Sequence, residues 1–172
     1  MGESGEQTEP PPGLEVPITV EAVVREGRPA FGRRFGSLVH ALFREADLGG
    51  DRAAVASLAR LHAGLVGSRE EEIRAAVEAV VAAWGHPLIE RARRAGRCYR
   101  EMPLVFHLED GRMLEGVLDL AFEEEGVWTV VDFKTDADFE ARRQDYERQL
   151  RWYVYGLGRL TGESVRGVLL SV

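Results

Sequence analysis

Asp132 and Lys134 stand two residues apart in the run Val130-Val131-Asp132-Phe133-Lys134-Thr135. A carboxylate and an ammonium this close are a candidate catalytic pair. Of 22 lysine and arginine residues, Lys134 is the only lysine. Lysine is a compact ammonium whose pKa can shift, whereas arginine is a permanently charged planar fork. On position alone, chance and chemistry explain the survivor equally well. A second carboxylate, Asp119, lies in Gly116-Val117-Leu118-Asp119-Leu120-Ala121-Phe122, an otherwise apolar run. A carboxylate buried there without a partner would be costly, and Asp132 between Val131 and Phe133 poses the same problem.

Strand spacing relates these groups. Residues 99–108, 112–123 and 127–134 alternate with period two and read as three strands, with turns at Asp110-Gly111 and Glu125-Gly126. The strands therefore form an antiparallel meander. On the third, Asp132 and Lys134 point the same way, about 6–7 Å apart. On the second, Asp119 points with Val117 and Ala121. A two-residue turn at Glu125-Gly126 pairs Glu124 with Val127 and puts Asp119 opposite Asp132, with Cβ atoms roughly 5 Å apart. Like charges so placed repel unless a cation lies between them. Oxygen ligands suit magnesium or manganese. Glu101 depends on the first turn. A three-residue loop, Glu109-Asp110-Gly111 with Gly111 left-handed, sets Glu101 opposite Asp119; a two-residue turn faces it away.

Around the meander, residues 33–46, 51–66 and 68–84 read as helices, followed by a short helix from Pro87 to Ala95. Asp51 is an expected N-cap, Gly67 a terminator, and Ser68 with Glu71 a capping box. His40 lies just beside the apolar arc of the first helix. Residues 139–160 form a long helix closed by Gly162, and residues 165–172 a final strand. Residues 18–25 alternate weakly and suit a short strand. The expected fold is α/β in an α+β arrangement: a mixed sheet containing the meander, flanked by helices, after an N-terminal helical segment. Residues 1–17, with Pro10-Pro11-Pro12, read as a disordered tail or linker, and residues 18–172 as one domain.

Composition narrows the classes. No stretch approaches the roughly 20 apolar residues of a membrane span, and no secretory signal is visible, so a cytoplasmic address is the simplest expectation. Cys98 is the only cysteine, which excludes an internal disulfide, a cysteine zinc site and a four-cysteine iron–sulfur cluster. The formal net charge of −7 is unlike that of a sequence-blind nucleic-acid binder held by phosphate neutralisation. A chain of this charge acting on nucleic acid needs metal ions in an acidic cleft, or a partner for grip.

These residues, in order, resemble the PD-(D/E)xK nuclease superfamily and its RecB-like branch. Gly36-Ser37-Leu38-Val39-His40 resembles a Gly-x-x-x-His helix motif and Glu101-Met102-Pro103 an E-x-P strand. Gly116-Val117-Leu118-Asp119 resembles G-x-x-D, and Asp132-Phe133-Lys134-Thr135 resembles D-[YF]-K-T. The run from Tyr146 to Tyr153 resembles Y-x-x-Q-L-x-x-Y. The likeness spans residues about 32–172 and is nearest to the C-terminal nuclease domain of AddA-type helicase–nucleases. Leu118, rather than proline, precedes Asp119, as is common in this branch.

The resemblance implies a restriction-endonuclease-like core and a magnesium-dependent deoxyribonuclease, with manganese an alternative. It implies that His40, Asp119, Asp132 and the backbone carbonyl of Phe133 hold the metal, with Glu101 supporting it directly or through water. Lys134 would act on the attacking water or on phosphate charge. Gln149 and Tyr153, four apart on one helical face, would position Lys134 or the DNA strand. His62, His86 and His107 match nothing and are read as structural. The implied setting is exonucleolytic processing in double-strand break repair and recombination. The implied partners are DNA, a helicase motor in the same chain or complex, and a second nuclease-complex subunit. No membrane partner and no iron–sulfur cluster are expected. Two other readings remain open: an inactive nuclease fold for DNA path or subunit docking, and a free-standing single-strand nuclease.

Overall fold

The computed structural model describes residues 16–24, 32–108 and 111–172. The expected tail therefore lies outside the described residues up to position 15, as do Glu109 and Asp110 of the first hairpin loop. Strand β1 (Ile18–Ala22) precedes four helices: α1 (Arg33–Glu45), α2 (Arg52–Val66), α3 (Glu70–Trp84) and α4 (Pro87–Arg94). The meander follows as β2 (Arg97–His107), β3 (Met113–Glu124) and β4 (Val127–Lys134), then α5 (Phe139–Thr161) and β5 (Ser164–Ser171). The sheet order is β1-β5-β4-β3-β2, antiparallel across β2, β3 and β4, parallel from β4 through β5 to β1. This is the mixed, helix-flanked sheet expected. The helix α5 supplies the crossover that a parallel β4–β5 pair requires.

Helices α1 to α4 cover one face of the sheet and α5 the other. The first apolar cluster joins Phe35, Leu38 and Leu42 of α1 to Leu120, Phe122, Val131 and Phe133. The second joins Leu150, Tyr153 and Leu157 of α5 to Leu104, Leu118, Ala121 and Val130. Val16 packs against this second cluster, and Pro17 accepts a hydrogen bond from the Gly167 amide.

Both turn expectations hold. Glu124 pairs with Val127 across Glu125 and Gly126, whose φ values of 53° and 79° mark a type I′ turn. At the other hairpin, Leu108 donates to Arg112 across a three-residue connection, and Gly111 has φ 84°. One helix start differs. Arg69, not Ser68, is the N-cap of α3, and Glu72, not Glu71, accepts its backbone N–H at 2.6 Å. Three consecutive glutamates follow Arg69, so a one-residue shift costs the helix nothing. Ser68 Oγ is buried without a partner.

Candidate active site

The site forms where β3 and β4 come apart. Their ladder runs from Glu124↔Val127 to Leu120↔Val131 and stops. Continued by one step, this register sets Asp119 opposite Asp132. The following step would pair Leu118 with Phe133 through the backbone. Instead the Asp119 carboxylate takes the Phe133 N–H, at 2.8 Å from Oδ2. A side chain has replaced a strand as acceptor, which satisfies the amide and holds a carboxylate at the strand end.

Alternation breaks at this point. Sequence spacing groups Asp119 with Val117 and Ala121, but Val117 is exposed while Ala121 is buried in the α5-side cluster. Leu118 and Ala121, three apart, lie in the same cluster, whereas Leu120 and Phe122 face α1 to α4. Strand β2 switches as well. Cys98 packs towards the α1–α4 side, and Met102, Leu104 and Phe106 towards α5. Between them Glu101 has φ 49°, a left-handed conformation rare for a residue with a side chain. Glu101 falls opposite Asp119 in the β2–β3 register, between Arg100↔Leu120 and Met102↔Leu118. The face switch brings both carboxylates to the junction of the two layers, where a helix from the other layer can reach them.

That helix is α1. Its buried residues, Phe35, Leu38, Val39 and Leu42, seat it on the sheet, and Phe43 stacks on Phe133 with centroids 3.9 Å apart. Gly36 permits the close approach: a Cβ there would lie 2.8 Å from Thr135 Oγ1. His40, half-buried beside this contact, places Nδ1 3.4 Å from Asp119 Oδ1. One ligand atom each from His40, Glu101 and Asp119 fall within 4.8 Å of one another. An imidazole with two carboxylates is a donor set for a divalent cation, and its oxygens suit a hard one.

Asp132 lies outside this trio. It is only 7% exposed, and its Oδ2 sits 2.7 Å from Lys134 Nζ. The contact is close but poorly aligned, so Oδ2 has an ion-pair partner and no hydrogen bond of good geometry. Burial, and then the charge of Asp119, push the Asp132 carboxyl up to about 6 against the pull of Lys134. Burial works to lower the pKa of His40, but its hydrogen bond to Asp119 and the charges of Asp119 and Asp132 outweigh that and raise it. The pocket thus holds more negative charge than its own cations neutralise comfortably.

Helix α5 closes the other side. Gln149 donates from Nε2 to the Tyr153 hydroxyl at 3.0 Å. A Cβ at position 116 would lie 2.4 Å from Tyr153 Cε1, so Gly116 makes room for that ring. Burial raises the Tyr153 phenol, which the Gln149 hydrogen bond partly offsets. The α5 side chain over Lys134 is Tyr146, with Nζ 4.3 Å from the ring centre. Sequence reasoning placed Tyr146 in a motif but gave it no role, although it shares a helical face with Gln149 and Tyr153. Burial and the Asp136 carboxylate push its phenol up to about 12. The other histidines lie elsewhere. His62 pairs with Glu45, His86 accepts the Leu88 N–H to cap α4, and His107 pairs with Met113 on β2 and β3.

Among the described residues, no helix is long and apolar enough to cross a membrane. The first and third of the five sequence motifs thus supply glycines under Thr135 and Tyr153, and all five meet at one opened strand end. Comparison with known proteins points the same way. A 70-residue stretch is 34% identical to an ATP-dependent helicase/nuclease subunit of Clostridium botulinum (strain Hall), covering 40% of this chain and 6% of that one. The protein of the same name from Alkaliphilus oremlandii is 25% identical over 178 residues, covering 91% of this chain and 15% of that one. This chain therefore spans less than a sixth of the length of either relative. A solved structure, protein VC1899 from Vibrio cholerae, aligns over 81% of this chain and 54% of that one, at 13% identity. Its TM-score of 0.27 is too low to bear on the fold. A model of the PD-(D/E)XK nuclease superfamily matches residues 19–171, and with essentially the whole sheet and every motif inside that match, the chain belongs to this superfamily.

Proposed function

We propose that this nuclease module hydrolyses DNA phosphodiesters with a divalent cation, magnesium or manganese, and acts as an exonuclease. The observation that carries the reading is the meeting of His40, Glu101 and Asp119 beside the buried Asp132–Lys134 pair. His40, Asp119 and Asp132 would hold the cation, with Glu101 supporting it directly or through water. The Phe133 carbonyl suits the same role. In a strand a residue's N–H and C=O leave the same edge, and the Phe133 N–H faces Asp119. When bound, the cation supplies Lewis-acid charge and makes a water more acidic.

The chain's own groups do the rest. Asp119 and Asp132 fix the place of the charge, and α1 keeps His40 in reach. Lys134 presents an ammonium to the phosphate, where negative charge grows as the water oxygen attacks phosphorus and the bridging P–O bond breaks. The departing alkoxide takes a proton, leaving a terminal phosphate and a hydroxyl. Gln149 and Tyr153 form a linked pair on the α5 wall that suits a strand-positioning role. By likeness to the relatives named above, the module works beside a helicase motor and a second subunit in double-strand break repair and recombination.

The test combines binding and cleavage. Calorimetry is expected to show magnesium binding to the parent and its loss in Asp119→Asn. Lys134→Ala is expected to keep the circular dichroism spectrum and lose cleavage by about 1,000-fold or more, the scale of removing one transition-state charge contact. Parent-rate cleavage by Lys134→Ala would sink the catalytic assignment. End-labelled and circular single-stranded DNA decide the mode: an exonuclease leaves the circle intact.

A further inference from the structure

The reaction outlined above asks nothing of Tyr146, yet this is the α5 side chain in contact with the lone lysine. Tyr146 is 6% exposed. The Lys134 ammonium lies 4.3 Å from its ring centre, and the Lys134 side chain is 13% exposed. The phenol is fixed from behind. Its hydroxyl donates to Asp136, two residues beyond Lys134, and Phe139 flanks the ring at 5.9 Å between centroids. Arg142 approaches the same ring at 4.9 Å and lies 3.7 Å from Asp136.

We propose that Tyr146 is a positioning residue, whose ring face and Asp132 together fix the Lys134 ammonium at the strand end. A lysine carries its charge on a flexible four-carbon stem, and a single carboxylate contact leaves that stem free to rotate. A ring face attracts the ammonium through the aromatic quadrupole, more strongly where water is excluded. It does so without adding negative charge to a pocket already crowded with carboxylates. With one direction taken by Asp132 and another by the ring, the ammonium keeps its remaining N–H groups for a phosphate. Asp136 holds the phenol in register, and so couples the ring to the chain that carries Lys134. What Lys134 does there rests on the nuclease reading; where it is held does not.

One lysine in the chain makes the contact directly observable. Protein grown with ε-13C-lysine gives a single ε-methylene resonance that needs no assignment. In the folded parent this resonance is expected upfield of its position in urea, shifted by the Tyr146 ring current. Tyr146→Phe should keep the shift and Tyr146→Leu should lose it. On a single-stranded oligonucleotide, Tyr146→Leu should lower kcat about tenfold, the effect of losing a desolvated cation–π contact. Its KM and its calorimetric magnesium affinity should stay within about twofold, and Tyr146→Phe should stay within about threefold in kcat. A parent resonance at the urea position overturns the proposal, with no variant needed should Tyr146→Leu fail to fold. Equal loss of kcat in Tyr146→Phe and Tyr146→Leu overturns it too, since the hydroxyl rather than the ring would then matter. A parent that cuts no DNA removes the nuclease reading, while the resonance still decides the contact.

Discussion

The β3–β4 hairpin has two unlike ends. At the turn, Glu125 and Gly126 adopt the left-handed pair that a type I′ turn demands, and the ladder is continuous for five residue pairs. Side chains there alternate between two apolar clusters. The one buried polar group, Thr129, is 0% exposed and accepts a hydrogen bond from Arg166 at 2.8 Å. At the other end the ladder stops, a carboxylate replaces a backbone acceptor, Asp132 is buried, and the facing strand carries Glu101 at positive φ. The same two strands follow every local rule at one end and break several at the other. Conflicts of this kind cluster where a protein works rather than where it is held together.

The comparison predicts opposite responses to mutation. The largest effect belongs to the turn-side half. Phe122 is fully buried between β3 and helices α1 to α4, with Arg91 over its ring. Phe122→Ala should cost about 3–5 kcal/mol in urea unfolding, as lost burial and a cavity add. A cost below about 1 kcal/mol would mean that this half does not carry the fold.

At the open end the sign should reverse. Asp132 has a folded-state pKa of about 6, above its usual 3.8. The folded state therefore holds this proton more tightly than the unfolded state. Its stabilising contribution is complete below about 3.8 and is lost as pH rises through about 6, after which the buried carboxylate is a cost. In EDTA at pH 8, Asp132→Asn should raise stability by about 1–3 kcal/mol, the scale set by that gap. At pH 4 the difference should vanish. The same variant should bind magnesium poorly, so a gain in Tm with a loss of cation binding is the expected signature. Equal stability of parent and variant across this range would show that the site stores no such cost.

What the sequence revealed divides along the same line. The regular half was readable: β4 is read as 127–134 and forms over Val127–Lys134, and Glu125-Gly126 set its register. The β2–β3 register followed from the three-residue loop, because turn length fixes which residues face each other. The face switch at Glu101 and between Leu118 and Asp119 was not readable, since alternation assumes a strand that never coils out of phase. Nor was the approach of His40, which depends on how α1 lies across the sheet. Order and spacing of the motifs singled it out, where helical periodicity leaves it a boundary histidine. Tyr146 was legible as part of a motif but not as the neighbour of Lys134, because that contact joins a strand end to a helix five residues further along the chain. The α3 cap was misplaced by one residue because adjacent glutamates offer two equivalent boxes.

The smallest effect concerns the backbone at Glu101. A residue with a Cβ at φ 49° is held there by its surroundings at a cost of about 1 kcal/mol, which glycine escapes. Glycine also loses more chain entropy on folding, so the two terms nearly cancel. Glu101→Gly should therefore leave the EDTA-treated protein within about 1 kcal/mol of the parent, on the stable side if on either. Glu101→Val keeps the strain and adds β-branching, which tolerates positive φ poorly, so it should be less stable than Glu101→Gly by about 1–2 kcal/mol. The two variants remove the same carboxylate, and their magnesium affinities should fall alike. If Glu101→Val matched Glu101→Gly in stability, the left-handed backbone would not be imposed by the fold, and the face switch would have to be set by Asp119 alone.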